Sequence, residues 1–131
     1  LTPLKGMPLT SLDLWGTKVS DLSPLAELPL EHLELRDTLV SDLTPVQRMM
    51  KLKRLHIFGC KSVSSLAPLK GLKLEALSCG NSGVTDLSPL AGMPLKLLEI
   101  HKSILSEQDV ELLRSIQTLE EIDGKPVAEF W

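Results

Sequence analysis

Residues 30–40 read Leu30-Glu-His-Leu-Glu-Leu-Arg-Asp-Thr-Leu-Val40, and the same spacing of apolar residues returns in four other segments of the chain. Leucines two positions apart, such as Leu33 and Leu35, place both side chains on one face of a short strand. A single strand of this length buries too little apolar surface to be stable. We therefore expect the copies to stack about 4.8 Å apart in a parallel sheet with a continuous leucine core. The other copies begin at Leu9, Leu52, Leu74 and Leu95.

A second recurring segment, Leu-x-Pro-Leu or Leu-x-Pro-Val, gives the length of the repeat. Its copies start at positions 1, 22, 43, 66 and 87, so successive spacings are 21, 21, 23 and 21 residues. A period of this size is typical of a solenoid, in which each repeat contacts only its neighbours. It leaves no room for a full helix between strands, so we expect short 3₁₀ or other turns on the convex side. Three of these segments follow an aspartate that is suited to capping such a turn: Asp21, Asp42 and Asp86.

The whole pattern resembles the leucine-rich repeat, L-x-x-L-x-L-x-x-N/C-x-L, over residues 1–105. The short period is similar to that of bacterial internalin-like repeats. The wording of the repeats and of the tail from 122 to 131 also resembles repeats that accompany bacterial Ser/Thr protein kinases. The usual Asn is replaced by residues that can still offer a hydroxyl or thiol to neighbouring backbone: Thr17, Thr38, Cys60, Ser82 and Ser103.

The resemblance implies an α/β repeat solenoid, with a right-handed superhelix and a parallel sheet on the concave side. It also implies an interaction region of a larger protein. We divide the chain into five repeats over 1–105 and a C-terminal cap over 106–131. Ser106 and Asp109 form a sequence pattern typical of a capping box, and the apolar stripe that follows predicts a capping helix over about 106–117.

The two ends of the predicted solenoid differ. A final strand at about 119–122 should complete the C-terminal cap, with Phe130 and Trp131 folded back as a lid. At the N-terminus, residues 1–8 are only half a unit, which leaves the strand around Leu12 as an open edge. We expect this edge to be either a truncation boundary or the contact of a homodimer.

Composition and charge argue against several classes of protein. Hydrophobic residues make up 43% of the chain, aromatic residues only 3%, and the net charge is −3. A general nucleic-acid-binding protein needs a basic surface, so we expect no nucleic-acid partner. No apolar run approaches the length of a membrane span, and no signal peptide is recognisable, which favours a cytoplasmic location without fixing it. Cys60 and Cys79 fall in different columns of the stacked register, so we interpret both as buried free residues.

We expect no catalytic residue, no cofactor and no metal. The sequence contains no kinase motif and no motif that pairs a nucleophile with a base. His32, His56 and His101 fall on one face of the predicted sheet near Glu34, and they could bind a metal adventitiously. An open sheet, however, encloses a metal poorly.

The outward-facing positions of the strands should line the concave face and carry any binding function. Trp15, Arg36 and Phe58 lie on three successive predicted strands, so the guanidinium is expected between two aromatic rings. This column is either a binding surface, since Trp and Arg are enriched at binding hot spots, or a self-contained ladder that covers the sheet. The partner-binding residues predicted on this face are Trp15, Arg36, Phe58, His101, Arg54, His56, Glu99, Glu34 and Asp13.

The fourth repeat has only small residues at these positions, Ala76, Ser78 and Gly80. This predicts a notch about 10 Å wide that could admit a partner side chain or a peptide turn. Alternatively, the repeat is simply degenerate. The leading hypothesis is therefore a module that binds a protein or peptide through its concave face. The alternative is a structural spacer or self-association element that uses the N-terminal edge, and carbohydrate binding over the aromatic column is a third.

Overall fold

The computed structural model describes residues 1–101 and 105–130 and contains one open, seven-stranded sheet whose strands lie side by side in chain order. Strands β1 to β6 are parallel, and β7 pairs with β6 in the antiparallel sense. The strands are β1 Ser11–Asp13, β2 His32–Glu34, β3 Arg54–His56, β4 Ala76–Ser78, β5 Leu97–Glu99, β6 Glu121–Ile122 and β7 Lys125–Pro126. The predicted leucine-rich-repeat solenoid is confirmed.

The register of the sheet matches the predicted columns from β1 to β5. Glu34, for example, lies between Asp13 and His56 on the neighbouring strands. The ladder continues beyond the three-residue strands, because the backbone N–H of Asp37 donates to the carbonyl of Phe58 at 3.0 Å. The residues that follow each strand are thus held in columns as well.

Leucine and isoleucine side chains on the inner face form one core that runs from repeat to repeat. Leu33, Leu35, Leu55 and Ile57 have no exposed surface. Burying one such side chain contributes about 1.5–3 kcal/mol, so repetition of leucine replaces the large aromatic residues found in many cores. This core is the physical reason why strand register is uniform along the stack.

On the convex side, the described residues form five short 3₁₀ turns, as predicted. Their residues are Thr2–Leu4, Ser23–Leu25, Thr44–Arg48, Ala67–Leu69 and Ser88–Leu90. A preceding aspartate, Asp21, Asp42 or Asp86, accepts a 2.9 Å hydrogen bond from the backbone N–H two residues later. Hydrogen bonds from Ser23, Thr44 and Ser88 hold the pKa of these carboxyls below its usual value.

The side chains that stand in place of the usual Asn also donate hydrogen bonds to the backbone. Thr38 Oγ1 donates to the carbonyl of Leu35 at 2.8 Å, and the Cys60 thiol reaches that carbonyl from the next repeat at 3.0 Å. Ser103 lies outside the described residues. Cys60 and Cys79 are free and buried, as predicted, and burial raises the pKa of Cys79 to about 12.

Helix α1, Glu107–Ser115, covers the C-terminal end of the core. It begins at the predicted capping box, in which Ser106 and Asp109 exchange two hydrogen bonds of 3.1 Å. It ends slightly before the expected limit at 117, because Ile116 has an extended ψ of 90°. Leu113 and Ile116 are buried against the last repeat.

The rest of the cap is smaller than predicted. Strand β6 has two residues where 119–122 was expected, and a two-residue turn joins it to β7. Helix α2, Val127–Phe130, follows, and Phe130 packs partly buried against the core. Trp131, the other residue of the expected lid, lies outside the described residues.

The N-terminal end has no comparable cover among the described residues. Leu12 is only partly buried, whereas its equivalents Leu33 and Leu55 are fully buried. Strand β1 is a free edge of the sheet. No helix in the described ranges combines the length and the apolar character needed to cross a membrane.

Candidate functional site

The most exposed aromatic side chain on the concave face, Trp15, is held in place by two contacts. The guanidinium carbon of Arg36 lies 4.1 Å from the centre of the indole ring. The indole Nε1 donates a 3.2 Å hydrogen bond to Asp37 Oδ2. Trp15 is nevertheless 54% exposed. The face therefore presents a large aromatic surface whose orientation is fixed before any partner arrives.

A partly buried ion pair lies beside this tryptophan. Arg36 donates from Nε and Nη2 to Glu34 Oε2 at 2.9 and 2.7 Å, and its backbone N–H donates to Oε1 at 2.9 Å. Glu34 is only 5% exposed. The hydrogen bonds to this carboxylate raise the pKa of Arg36. Because the carboxylate is buried, removal of the Arg36 side chain would leave its charge without an ion-pair partner and would destabilise the fold.

The prediction that Arg36 lies between two aromatic rings is correct for the first ring, Trp15, and wrong for the second, Phe58. Arg36 stacks on Trp15, but the Phe58 ring meets His101 instead, edge to face, with centres 5.5 Å apart. Gly80 lies between them in the column, and a Cβ there would come within 2.7 Å of His101 Cδ2. The absent side chain thus lets two rings from alternate repeats meet.

The same contact fills much of the predicted notch. His101 adopts a left-handed φ of 44°, whereas in the second and fourth repeats the left-handed residue, Asp37 or Asn81, lies one position later. The Asp123 carboxylate accepts the N–H groups of Ile100 and His101 at 2.8 and 3.0 Å, which holds this early turn. His101 therefore lies over Gly80 rather than beside an empty gap.

What remains of the notch is a shallow dip at strand β4. Ala76 and Ser78 are 8% and 2% exposed, and their neighbours Arg54 and Leu97 are exposed on either side. Leu97 is 44% exposed and was not among the predicted site residues. An apolar residue in an outward strand column was the signal that could have identified it. Asp37 was also missed, since only the fold brings it to the Trp15 indole.

The other predicted residues form smaller groups on the same face. Asp13 Oδ1 accepts the backbone N–H of Trp15 at 3.0 Å, and His101 Nε2 lies 3.6 Å from Glu99 Oε2. His56 stands opposite Glu34 in the register. Burial lowers the pKa of His56, so its imidazole is mainly neutral at about pH 7.

A groove of about 680 Å³ on the flank of the sheet contains four lysines. Basic and acidic residues alternate here from one repeat to the next. The backbone N–H of Glu75 donates to the carbonyl of Lys53 at 2.8 Å, and the backbone N–H of Lys96 donates to the carbonyl of Glu75 at 2.7 Å. Lys96 Nζ lies 3.7 Å from Glu75 Oε1. Two glutamates, Glu31 and Glu75, offset only part of this charge, but no aromatic side chain lines the groove among the described residues. The concave face, with its ordered tryptophan, is therefore the better candidate for recognition.

Together, the repeated strands, left-handed turns, 3₁₀ convex side and open concave face define a leucine-rich-repeat solenoid of the short type. Solved structures of two internalins from Listeria monocytogenes strain 4b F2365 are similar to it. The internalin InlF structure matches with a TM-score of 0.85 and 28% identity, over 93% of this chain and 36% of the internalin. The internalin C2 structure matches with a TM-score of 0.78 and 28% identity, over 93% of this chain and 54% of its own.

These similarities confirm the prediction of an internalin-like leucine-rich-repeat architecture. The chain spans well under two thirds of either internalin. No protein-family model matches the sequence, and no curated protein matches it either. The resemblance to repeats that accompany bacterial protein kinases stays a prediction.

Proposed function

We propose that this chain is a recognition module that binds a protein or peptide through its concave face. The observation that carries the proposal is the rigid, half-exposed Trp15, stacked on Arg36 and hydrogen-bonded to Asp37. Ordering a large aromatic side chain in advance reduces the entropy that binding would otherwise lose. Tryptophan and arginine are also the residue types most enriched at hot spots. The general role is supported by the internalin-like architecture, since solenoids present long surfaces that bind partners.

The rest of the concave face supports a partner with both apolar and charged groups. Leu97 and Phe58 add apolar area, while Arg54 and Glu99 supply charges of both signs. Binding rather than catalysis is proposed, because the described part of the face is an open sheet, which would not exclude water from a reacting group. The expected absence of enzymatic activity stays a prediction.

The test is capture of partners from an extract of the source cells, followed by affinity measurement with the purified partner. Trp15→Ala is the informative variant, because Arg36→Ala would also unpair the buried Glu34. We expect Trp15→Ala to weaken binding by about 30-fold, which corresponds to a hot-spot loss of about 2 kcal/mol. Circular dichroism should show that the variant remains folded.

The matched control is Leu39→Ala/Met50→Ala, which removes apolar groups that are 60% and 66% exposed away from the strand columns. Binding that survives in the control and is lost in Trp15→Ala supports the concave face. Loss in the control alone, or capture of no partner by the unaltered chain, contradicts the proposal.

The alternative, self-association through the N-terminal edge, is supported by a different observation. Strand β1 is unpaired on one side, and the apolar residues Leu4, Leu9 and Leu12 around it are only partly buried. A second copy could cover this end by pairing strand to strand. Sedimentation equilibrium should then show a dimer that Ser11→Lys dissociates, because a lysine on an edge strand opposes such pairing. A monomer at high concentration contradicts the alternative.

A further inference from the structure

His32, Glu34 and His56 bring three metal-binding side chains together at the centre of the concave face. Glu34 and His56 are direct neighbours in the register, and His32 precedes Glu34 by two residues on the same side of strand β2. One donor atom from each residue lies within 4.8 Å of the others. The two imidazole rings are 5.2 Å apart between centres and inclined at 59°. The register of the sheet thus brings two imidazole nitrogens and a carboxylate close together.

His32 supplies an independent indication of a ligand. Its Nε2 is buried and has no hydrogen-bonding partner among the described residues. A buried nitrogen of this kind costs free energy unless a donor, an acceptor or a metal satisfies it. A histidine whose ring merely covered the sheet would more often place this nitrogen where solvent or a neighbour reaches it.

The carboxylate is held in an orientation that leaves coordination capacity. Glu34 Oε1 accepts only the backbone N–H of Arg36 within the described structure, while the guanidinium binds Oε2. Each carboxylate oxygen has two lone pairs, so Oε1 can accept a second interaction. Hydrogen bonds of this kind orient a ligating carboxylate and tune its affinity.

We propose that His32, Glu34 and His56 form a binding site for a divalent transition-metal ion of the zinc type. Two imidazole nitrogens and one carboxylate oxygen are a ligand set that Zn²⁺ accepts, whereas Ca²⁺ and Mg²⁺ prefer oxygen alone. Ligands of a tetrahedral zinc are separated by about 3.3 Å, so the ligand atoms must approach one another by up to about 1.5 Å on binding. The fourth coordination position of the metal then points out of the concave face and can hold water or a side chain of a partner.

This site departs from the expectation of no metal, which rested on the open character of a sheet. The structure shows that Glu34 is buried and that one nitrogen of His32 is buried too, so the ligands are less exposed than an open sheet suggests. The proposal does not depend on partner binding through Trp15. Either can fail without the other.

The experiment uses the intact chain and Zn²⁺ alone, at about pH 7. The chain has three histidines, so ring signals in ¹H–¹³C spectra report on each separately. We expect one equivalent of zinc to shift the signals of His32 and His56 and to leave those of His101 in place. Calorimetric titration should give a dissociation constant of about 10 µM or less. His32→Gln and His56→Gln should each weaken it by about tenfold or more.

The matched control is His101→Gln. His101 lies on the same face and has its own carboxylate neighbour, Glu99 at 3.6 Å, but only two such groups meet there. Zinc affinity should change by less than about twofold in this variant. Equal shifts of all three histidines, an equal loss in His101→Gln, or no binding at millimolar zinc would overturn the proposal. The spectra of the unaltered chain decide the matter even if a substitution impairs folding.

Discussion

At the scale of single residues, some side chains in the turns after the strands reach across repeats. Asp37 is the example, since it accepts the Trp15 indole N–H from the preceding repeat and lies directly over Gly59 of the following one. A Cβ at Gly59 would lie 2.0 Å from Asp37 Oδ1, and the φ of Gly59 is +77°. Gly59 therefore contributes to the binding surface although it has no side chain of its own.

Gly59→Ala should destabilise the chain and release Trp15. The left-handed φ alone costs about 1–2 kcal/mol for a residue with a Cβ, and displacement of Asp37 adds to it. Urea unfolding gives the loss, and tryptophan fluorescence reports the freed indole. The control is Gly16→Ala, which has a similar φ of +71° but nothing within 4 Å of the new Cβ. An equal loss of unfolding free energy in both variants would show that the contact between Gly59 and Asp37 does not affect stability.

At the scale of elements, three of the described 3₁₀ turns are each held by an aspartate outside the core. Asp42 accepts hydrogen bonds from both the backbone N–H and the hydroxyl of Thr44, at 2.9 and 2.5 Å, and these bonds lower its pKa. A lowered pKa means that folding favours the ionised carboxylate. The stability that it contributes is fully present above the unfolded-state pKa of about 3.9. That stability is lost as the pH falls through the lower folded-state value.

Asp42→Asn tests this link between charge and stability. The amide oxygen can still accept a hydrogen bond, but it carries no charge, so the variant should be less stable than the parent chain at about pH 7. The difference in the free energy of unfolding should shrink as the pH falls from about 5 to about 2. Parallel curves for the two chains across this range would contradict the assignment.

At the scale of the whole molecule, the solenoid buries its core unevenly from end to end. Leu55 in the third repeat is fully buried between neighbours, whereas Leu12 in the first repeat has a neighbour on one side only. In an array of this kind, stability is close to a sum over repeats and their interfaces. The position of a leucine in the stack therefore decides how much its truncation matters.

Leu55→Ala should lower the free energy of unfolding by about 2–5 kcal/mol, as is usual for a buried leucine. Leu12→Ala should lower it by clearly less, about 1–2 kcal/mol, because part of its surface is already exposed. Urea denaturation at low protein concentration measures both. A loss at Leu12 that equals the loss at Leu55 and grows with protein concentration would favour pairing through strand β1.

Much of the architecture could be predicted because few folds can bury leucines that recur at this spacing. Leu33 and Leu35 must face inward, and His32 and Glu34 must then face outward in columns with their equivalents. The capping box at Ser106 was equally local. The turn at His101 could not be predicted, since it depends on Asp123, which is distant in sequence and accepts hydrogen bonds from Ile100 and His101.

The sequence by itself determined the repeat length, the strand register and the set of side chains on the concave face, because only one stacking buries every leucine column. The tertiary structure alone decided which of those side chains meet. Arg36 pairs with Glu34 and Trp15, and Phe58 reaches His101 across Gly80. These pairings depend on side-chain rotamers and turn angles whose alternatives differ by about 1 kcal/mol each. Differences this small cannot be read from the order of residues along the chain.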